Sequence, residues 1–72
     1  MAGKLKITCR VVVGTDFEEA VSEARRISRI LDAWVEFDFN GISVSVHPKT
    51  SITVAVEQFH EAIEKQVNFI IT

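Results

Sequence analysis

Two histidines, His47 and His60, and a scatter of carboxylates are the side chains best suited to chemistry, and metal binding is the first chemistry to weigh. A metal site needs several ligands of suitable type converging in space. His60 has Glu57, Glu61 and Glu64 nearby, and at helical spacing Glu64, four residues on, shares its face. The same spacing describes a solvated acidic helix surface laced by i, i+4 pairs, which is the simpler account, so no metal is expected. Glu36 and Asp38 stand two residues apart, and on a strand their Cβ atoms lie about 7 Å from each other, within reach of paired-carboxylate catalysis. Nothing around them supports it. No Ser, Cys or His arrangement forms a nucleophile motif and no Gly-rich phosphate loop occurs, so neither a catalytic residue nor a cofactor is expected and the chain reads as non-enzymatic.

Binding is the other chemistry on offer. Arg25, Arg26 and Arg29 cluster at the end of a helical stretch, where guanidinium groups could hold phosphate or an acidic partner through bidentate hydrogen bonds. Compensation of the helix dipole on a solvated face explains them more simply. With Lys4, Lys6 and Arg10 they define the alternative of a nucleic-acid-binding module, against which the formal net charge of −2 argues. His47 faces Trp34 across a hairpin, either as cross-strand packing or as part of a contact surface.

These groups must be positioned by a small scaffold. Seventy-two residues make one domain, in which roughly 60% of the unfolded surface can be buried, leaving little room for a deep active site. The apolar fraction of 47% and charged fraction of 25% are those of a folding globular chain. Cys9 stands alone, so no intramolecular disulfide can form, and its apolar neighbours suggest a buried thiol in a reducing compartment. Met-Ala-Gly-Lys-Leu-Lys is followed by no apolar run long enough for a signal peptide or a membrane span, so a cytoplasmic location and no membrane partner are expected.

The most informative stretch is Phe37-Asp38-Phe39-Asn40-Gly41-Ile42. Asn-Gly between alternating apolar runs signals a type I′ hairpin, because both central residues need positive φ. That turn predicts Phe39 opposite Ile42, Phe37 opposite Val44 and Val35 opposite Val46 on an apolar face. Asp38–Ser43, Glu36–Ser45 and Trp34–His47 then pair on the other face. A slip of one residue would drive Glu36 and Asp38 into the core.

Around the hairpin, Lys4 to Val13 alternates like a strand with a basic outer face, ended by Gly14. Thr15 and Glu18 have the form of a capping box, and Phe17, Ala20, Val21, Ala24, Ile27 and Leu31 form a helical stripe running to about Asp32. The hairpin strands span 33–39 and 42–47, with Pro48 closing the second. Residues 50–56 fit either element, since Ile52, Val54 and Val56 alternate. The stripe Ile52, Ala55, Val56, Phe59, Ala62, Ile63 favours a helix capped by Thr50 or Ser51. Val67, Phe69 and Ile71 alternate with Asn68 and Ile70 in a last strand, with Ile70 shown outward.

The order βαββαβ predicts an α+β, ferredoxin-like plan with a four-stranded antiparallel sheet and two helices on one face. Its usual strand order, 4-1-3-2, would set Lys6, Thr8 and Arg10 beside Ser43, Ser45 and His47, with Trp34, Glu36 and Asp38 along an edge. Unlike an RNA-recognition module, such a sheet shows no aromatic stacking platform on its central strands.

The run Trp34-Val35-Glu36-Phe37-Asp38-Phe39-Asn40-Gly41-Ile42, with Val44, Val46, Thr50 and the helix around Phe59, resembles small uncharacterised bacteriophage and prophage proteins that carry an F-x-F-N-G hairpin before an amphipathic helix. The resemblance covers about half the chain and implies a phage-type accessory protein that binds host or phage proteins. It carries over no catalytic or binding residue. The resulting expectation is a protein-interaction module that uses Lys6, Arg10, Trp34, Glu36, Asp38, Ser45 and His47 on the open sheet face. Its partner is another protein or a second copy, making a homodimer, with Asn68-Phe69-Ile70-Ile71 as a candidate pairing edge.

Overall fold

The structure, a computed structural model, describes residues 5–72, so Lys4 lies outside the described residues. The elements run β1 (Lys6–Cys9), α1 (Phe17–Leu31), β2 (Trp34–Phe39), β3 (Ile42–Val46), α2 (Ile52–Lys65) and β4 (Phe69–Ile71). This is the expected βαββαβ order in an α+β fold, and the ambiguous 50–56 segment is helical from Ile52 onward.

At the hairpin, Asn40 and Gly41 take φ of 50° and 79°, as a type I′ turn requires. The pairs Phe39–Ile42, Asp38–Ser43, Phe37–Val44, Glu36–Ser45 and Val35–Val46 follow the predicted register.

The rest of the sheet departs from expectation. It is mixed, in the order β1-β2-β3-β4, with β1 parallel to β2, β2 antiparallel to β3 and β3 parallel to β4. The hairpin is therefore the centre, and β2, expected at an edge, is interior. Each helix returns the chain to the same end of the sheet, so its two flanking strands become parallel neighbours with no strand inserted between them. The chain crosses the sheet in the same sense both times while the strand direction reverses, and both helices join one core. The two crossovers consequently have opposite hands, and one is the rare left-handed form.

The first strand is shorter than the alternation predicts. Beyond Cys9 the chain leaves the sheet, exposing Val12 and Val13, and turns through Thr15 N–H donating to the Val12 carbonyl at 3.1 Å. The capping box sits one residue later than Thr15 and Glu18 suggest. Asp16 accepts from the Glu19 amide at 2.8 Å and the Glu19 carboxylate accepts from the Asp16 amide at 3.3 Å. Ser51 caps α2 by accepting from the Val54 amide at 3.3 Å.

Val21, Val35, Val44, Val46 and Ala55 are fully buried between the helices and one sheet face. At the hairpin end of this core, the rings of Phe17 and Phe59 stack at 4.0 Å between centroids, with Phe39 edge-on to both at 5.5 Å. The other end is closed by polar bonds. The buried Ser28 hydroxyl donates to the Ala33 carbonyl at 2.7 Å. The buried Thr50 hydroxyl donates to the Thr72 carbonyl at 2.8 Å and accepts from the His47 amide at 2.9 Å.

Candidate interaction surface

The face of the sheet away from the helices carries the polar half of the alternation. In register across it run Lys6–Trp34, then Thr8–Glu36–Ser45–Ile71, then Asp38–Ser43–Phe69. The mixed topology thus places Lys6 and Thr8 beside Trp34 and Glu36, and not beside Ser43, Ser45 and His47 as the 4-1-3-2 order implied.

Of the predicted contact residues, Lys6, Trp34, Glu36, Asp38 and His47 come together. The Lys6 ammonium lies 2.9 Å from a Glu36 carboxylate oxygen. Trp34 meets the His47 ring edge-on at 5.2 Å. His47 Nδ1 accepts from the Lys49 amide at 3.1 Å, so the imidazole also holds the turn after β3. Asp38 accepts from the Ser43 hydroxyl at 2.9 Å. Ser45 lies on this face but is 8% exposed, and its carbonyl accepts from the Thr72 amide at 3.1 Å, which makes it structural. Arg10 is exposed just past the end of β1, outside the sheet.

The parity of β4 is the reverse of that expected. Val44 pairs with Ile70, which is buried, whereas Phe69 is 58% and Ile71 65% exposed on the open face beside Ser43 and Ser45. Phe-Ile-Ile is apolar at every position, so alternation cannot choose between its faces. The geometry after α2 chooses: Gln66 takes φ 57° and the Val67 amide returns to the Ala62 carbonyl at 2.9 Å. The two most exposed apolar side chains on this sheet face thus belong to the expected candidate edge, but the expected facing turns them inward and Ile70 outward, the reverse of what is observed.

The arginines do not form an anion site. Arg25 donates to the Thr50 carbonyl at 3.2 Å and Arg29 to the Pro48 carbonyl at 2.7 Å, bracing the β3–α2 loop, while Arg26 pairs with Glu23. The hydrogen bond from Arg26, with its charge, holds the Glu23 carboxyl below the usual carboxylate range, and Lys65 does the same for Glu61. His60 is exposed on α2, and among the described residues no group of three or more His, Cys, Asp or Glu side chains could hold a metal ion.

Cys9 is half-buried, not fully enclosed as expected, and lines an open groove of about 710 Å³ beneath α1, with Val11, Ala24, Ile27 and Phe37 among its walls. A smaller groove of about 320 Å³ runs between α2 and β4, bordered by Gln58, Glu61, Lys65, Val67, Phe69 and Ile71. The buried Oε1 of Gln58 has no hydrogen-bond partner.

Compared with protein-family models, curated proteins and solved structures, the chain finds no match in any of the three. No helix among the described residues is long and apolar enough to cross a membrane.

Proposed function

We propose that this chain is a non-enzymatic protein-interaction module whose open sheet face receives a protein partner. The observation that carries this reading is the uncovered face itself. Trp34 and His47 stand at one end, a charged centre of Lys6, Glu36 and Asp38 follows, and Phe69 and Ile71 project at the margin. Exposed aromatic and aliphatic side chains gathered on one uncovered face, with Trp and Phe among them, are features of protein contact surfaces. The hairpin resemblance supports an accessory role in a phage or prophage, acting in the cytoplasm. The nucleic-acid alternative draws less support, since Lys6 is engaged by Glu36 and the three arginines each serve a different bond.

The test is capture from bacterial lysate on immobilised wild-type protein and on a Trp34→Ala variant whose fold has been checked, with cross-links mapped by mass spectrometry. The expected result is a protein held by wild type through cross-links to β2 and β3 and lost from the variant. Equal retention by both proteins would overturn the reading. So would recovery of nucleic acid whose binding weakens steeply with salt.

A further inference from the structure

Among the described residues both sheet edges are open, and they are built differently. On β1 the Trp34 amide donates to the Leu5 carbonyl at 3.0 Å, so by alternation the backbone groups of Lys6 and Thr8 point to the free edge. Symmetric antiparallel pairing of two β1 edges about Lys6 would set the two Lys6 side chains directly opposite each other, and like charges directly opposite repel. Edge lysines are a common guard against such pairing.

The β4 edge has no such guard. Ser43 donates to the Asn68 carbonyl at 2.9 Å and Thr72 to the Ser45 carbonyl at 3.1 Å, so Asn68, Ile70 and Thr72 turn their backbone groups toward β3. Phe69 and Ile71 accordingly turn their N–H and C=O groups outward, and they are also the residues whose side chains stand exposed. The Val67 amide is already bonded to Ala62, which ends the free edge on that side.

We infer that a second copy of this chain pairs with it through β4, antiparallel and with the two-fold axis at Ile70, joining two sheets into one of eight strands. This rests on reading the sheet as an interaction surface and adds the occupant of its apolar margin. In this register Phe69 faces Ile71 of the other copy twice, and all four outward donors and acceptors of each edge are used. No other symmetric register does that, because shifting the axis toward Phe69 calls on Val67, which is bonded, and shifting it toward Ile71 leaves Phe69 unpaired. The groove beside β4 is bordered by Glu61 and Lys65, one charge of each sign. The unpartnered Gln58 Oε1 lines the same groove. A contact of this length buries less than the ~1,600 Å² of a standard stable complex, so the dimer is weak and concentration-dependent.

Sedimentation equilibrium from low micromolar to millimolar protein tests it. Wild type should pass from monomer to dimer. Phe69→Lys/Ile71→Lys, which opposes like charges twice, should weaken association at least about tenfold. Phe69→Lys/Ile71→Glu places lysine opposite glutamate in this register alone and should recover association in a salt-sensitive way. Both positions are more than half exposed, so the variants should keep the wild-type circular dichroism and melting profile. A wild type monomeric throughout, or a double-lysine variant that associates like wild type, overturns the dimer. A lysine–glutamate variant no better than the double lysine overturns the register. Trp34→Ala should dimerise as wild type does, since Trp34 lies two strands away, so loss of partner capture and loss of self-association are separable results.

Discussion

Replacing Phe59 by alanine should be among the most damaging single changes to this fold. The ring is 7% exposed, stacked on Phe17 at an interplanar angle of 11° and edge-on to Phe39 at 79°, so it joins α2 to both α1 and the hairpin. Truncating a buried phenylalanine costs about 3–5 kcal/mol in lost burial and residual cavity. Domains hold roughly 0.05–0.15 kcal/mol of stability per residue, or about 4–11 kcal/mol for a chain of this length. The variant should therefore lose roughly a quarter or more of its stability and lie near the unfolding threshold at the low end of that range. Phe59→Leu keeps most of the volume and should cost about 1–2 kcal/mol, part of it the ring–ring term of ~0.5–1.5 kcal/mol. Urea unfolding followed by the fluorescence of Trp34, the single tryptophan, measures both. A Phe59→Ala cost below about 1 kcal/mol would refute the placement of this ring at the junction of three elements. A leucine variant as damaged as the alanine one would refute the volume argument.

Gly41→Val should destabilise by at least ~1 kcal/mol in the same assay, because φ is 79° while no heavy atom lies within 4 Å of the added Cβ. The cost is thus conformational, and a neutral result would mean that the turn is not type I′. Ser28→Ala should cost about 1–3 kcal/mol by removing the buried donor to the Ala33 carbonyl, read as a lower melting temperature. An unchanged melting temperature would place water, and not Ser28, on that carbonyl.

What pattern reading captured is what local chemistry determines. Asn40-Gly41 and the alternation on either side point to the same register, and five observed pairs follow it. The stripe through Ala55, Phe59 and Ala62 separated helix from strand where Ile52, Val54 and Val56 did not, since the stripe is longer than the alternation. The errors arose where the deciding interaction is distant or the pattern is mute. Whether β2 lies beside β1 or one strand away depends on where a helix sets the chain down, and no residue in either strand encodes that. In β4 each position is apolar, so its facing waits on Val44 and on the cap at Gln66. The site shared this division. The residues of the hairpin were placed on one face correctly, Arg10 fell outside the sheet because β1 ends at Cys9, and Phe69 and Ile71 were assigned to the wrong side.

The central position of the hairpin also sets how the molecule comes apart and assembles. β2 and β3 are joined by a two-residue turn, so their pairing closes with little loss of chain entropy, whereas β1 and β4 each reach the sheet through a connection that contains a whole helix. The hairpin is therefore a spine with two leaves, each a strand and its helix, attached on opposite sides. The two leaves are tied to each other through the Phe17–Phe59 stack, so the outer strands fray before either helix lifts, and hydrogen exchange should run fastest at the outer strands and slowest along Val35 and Val44.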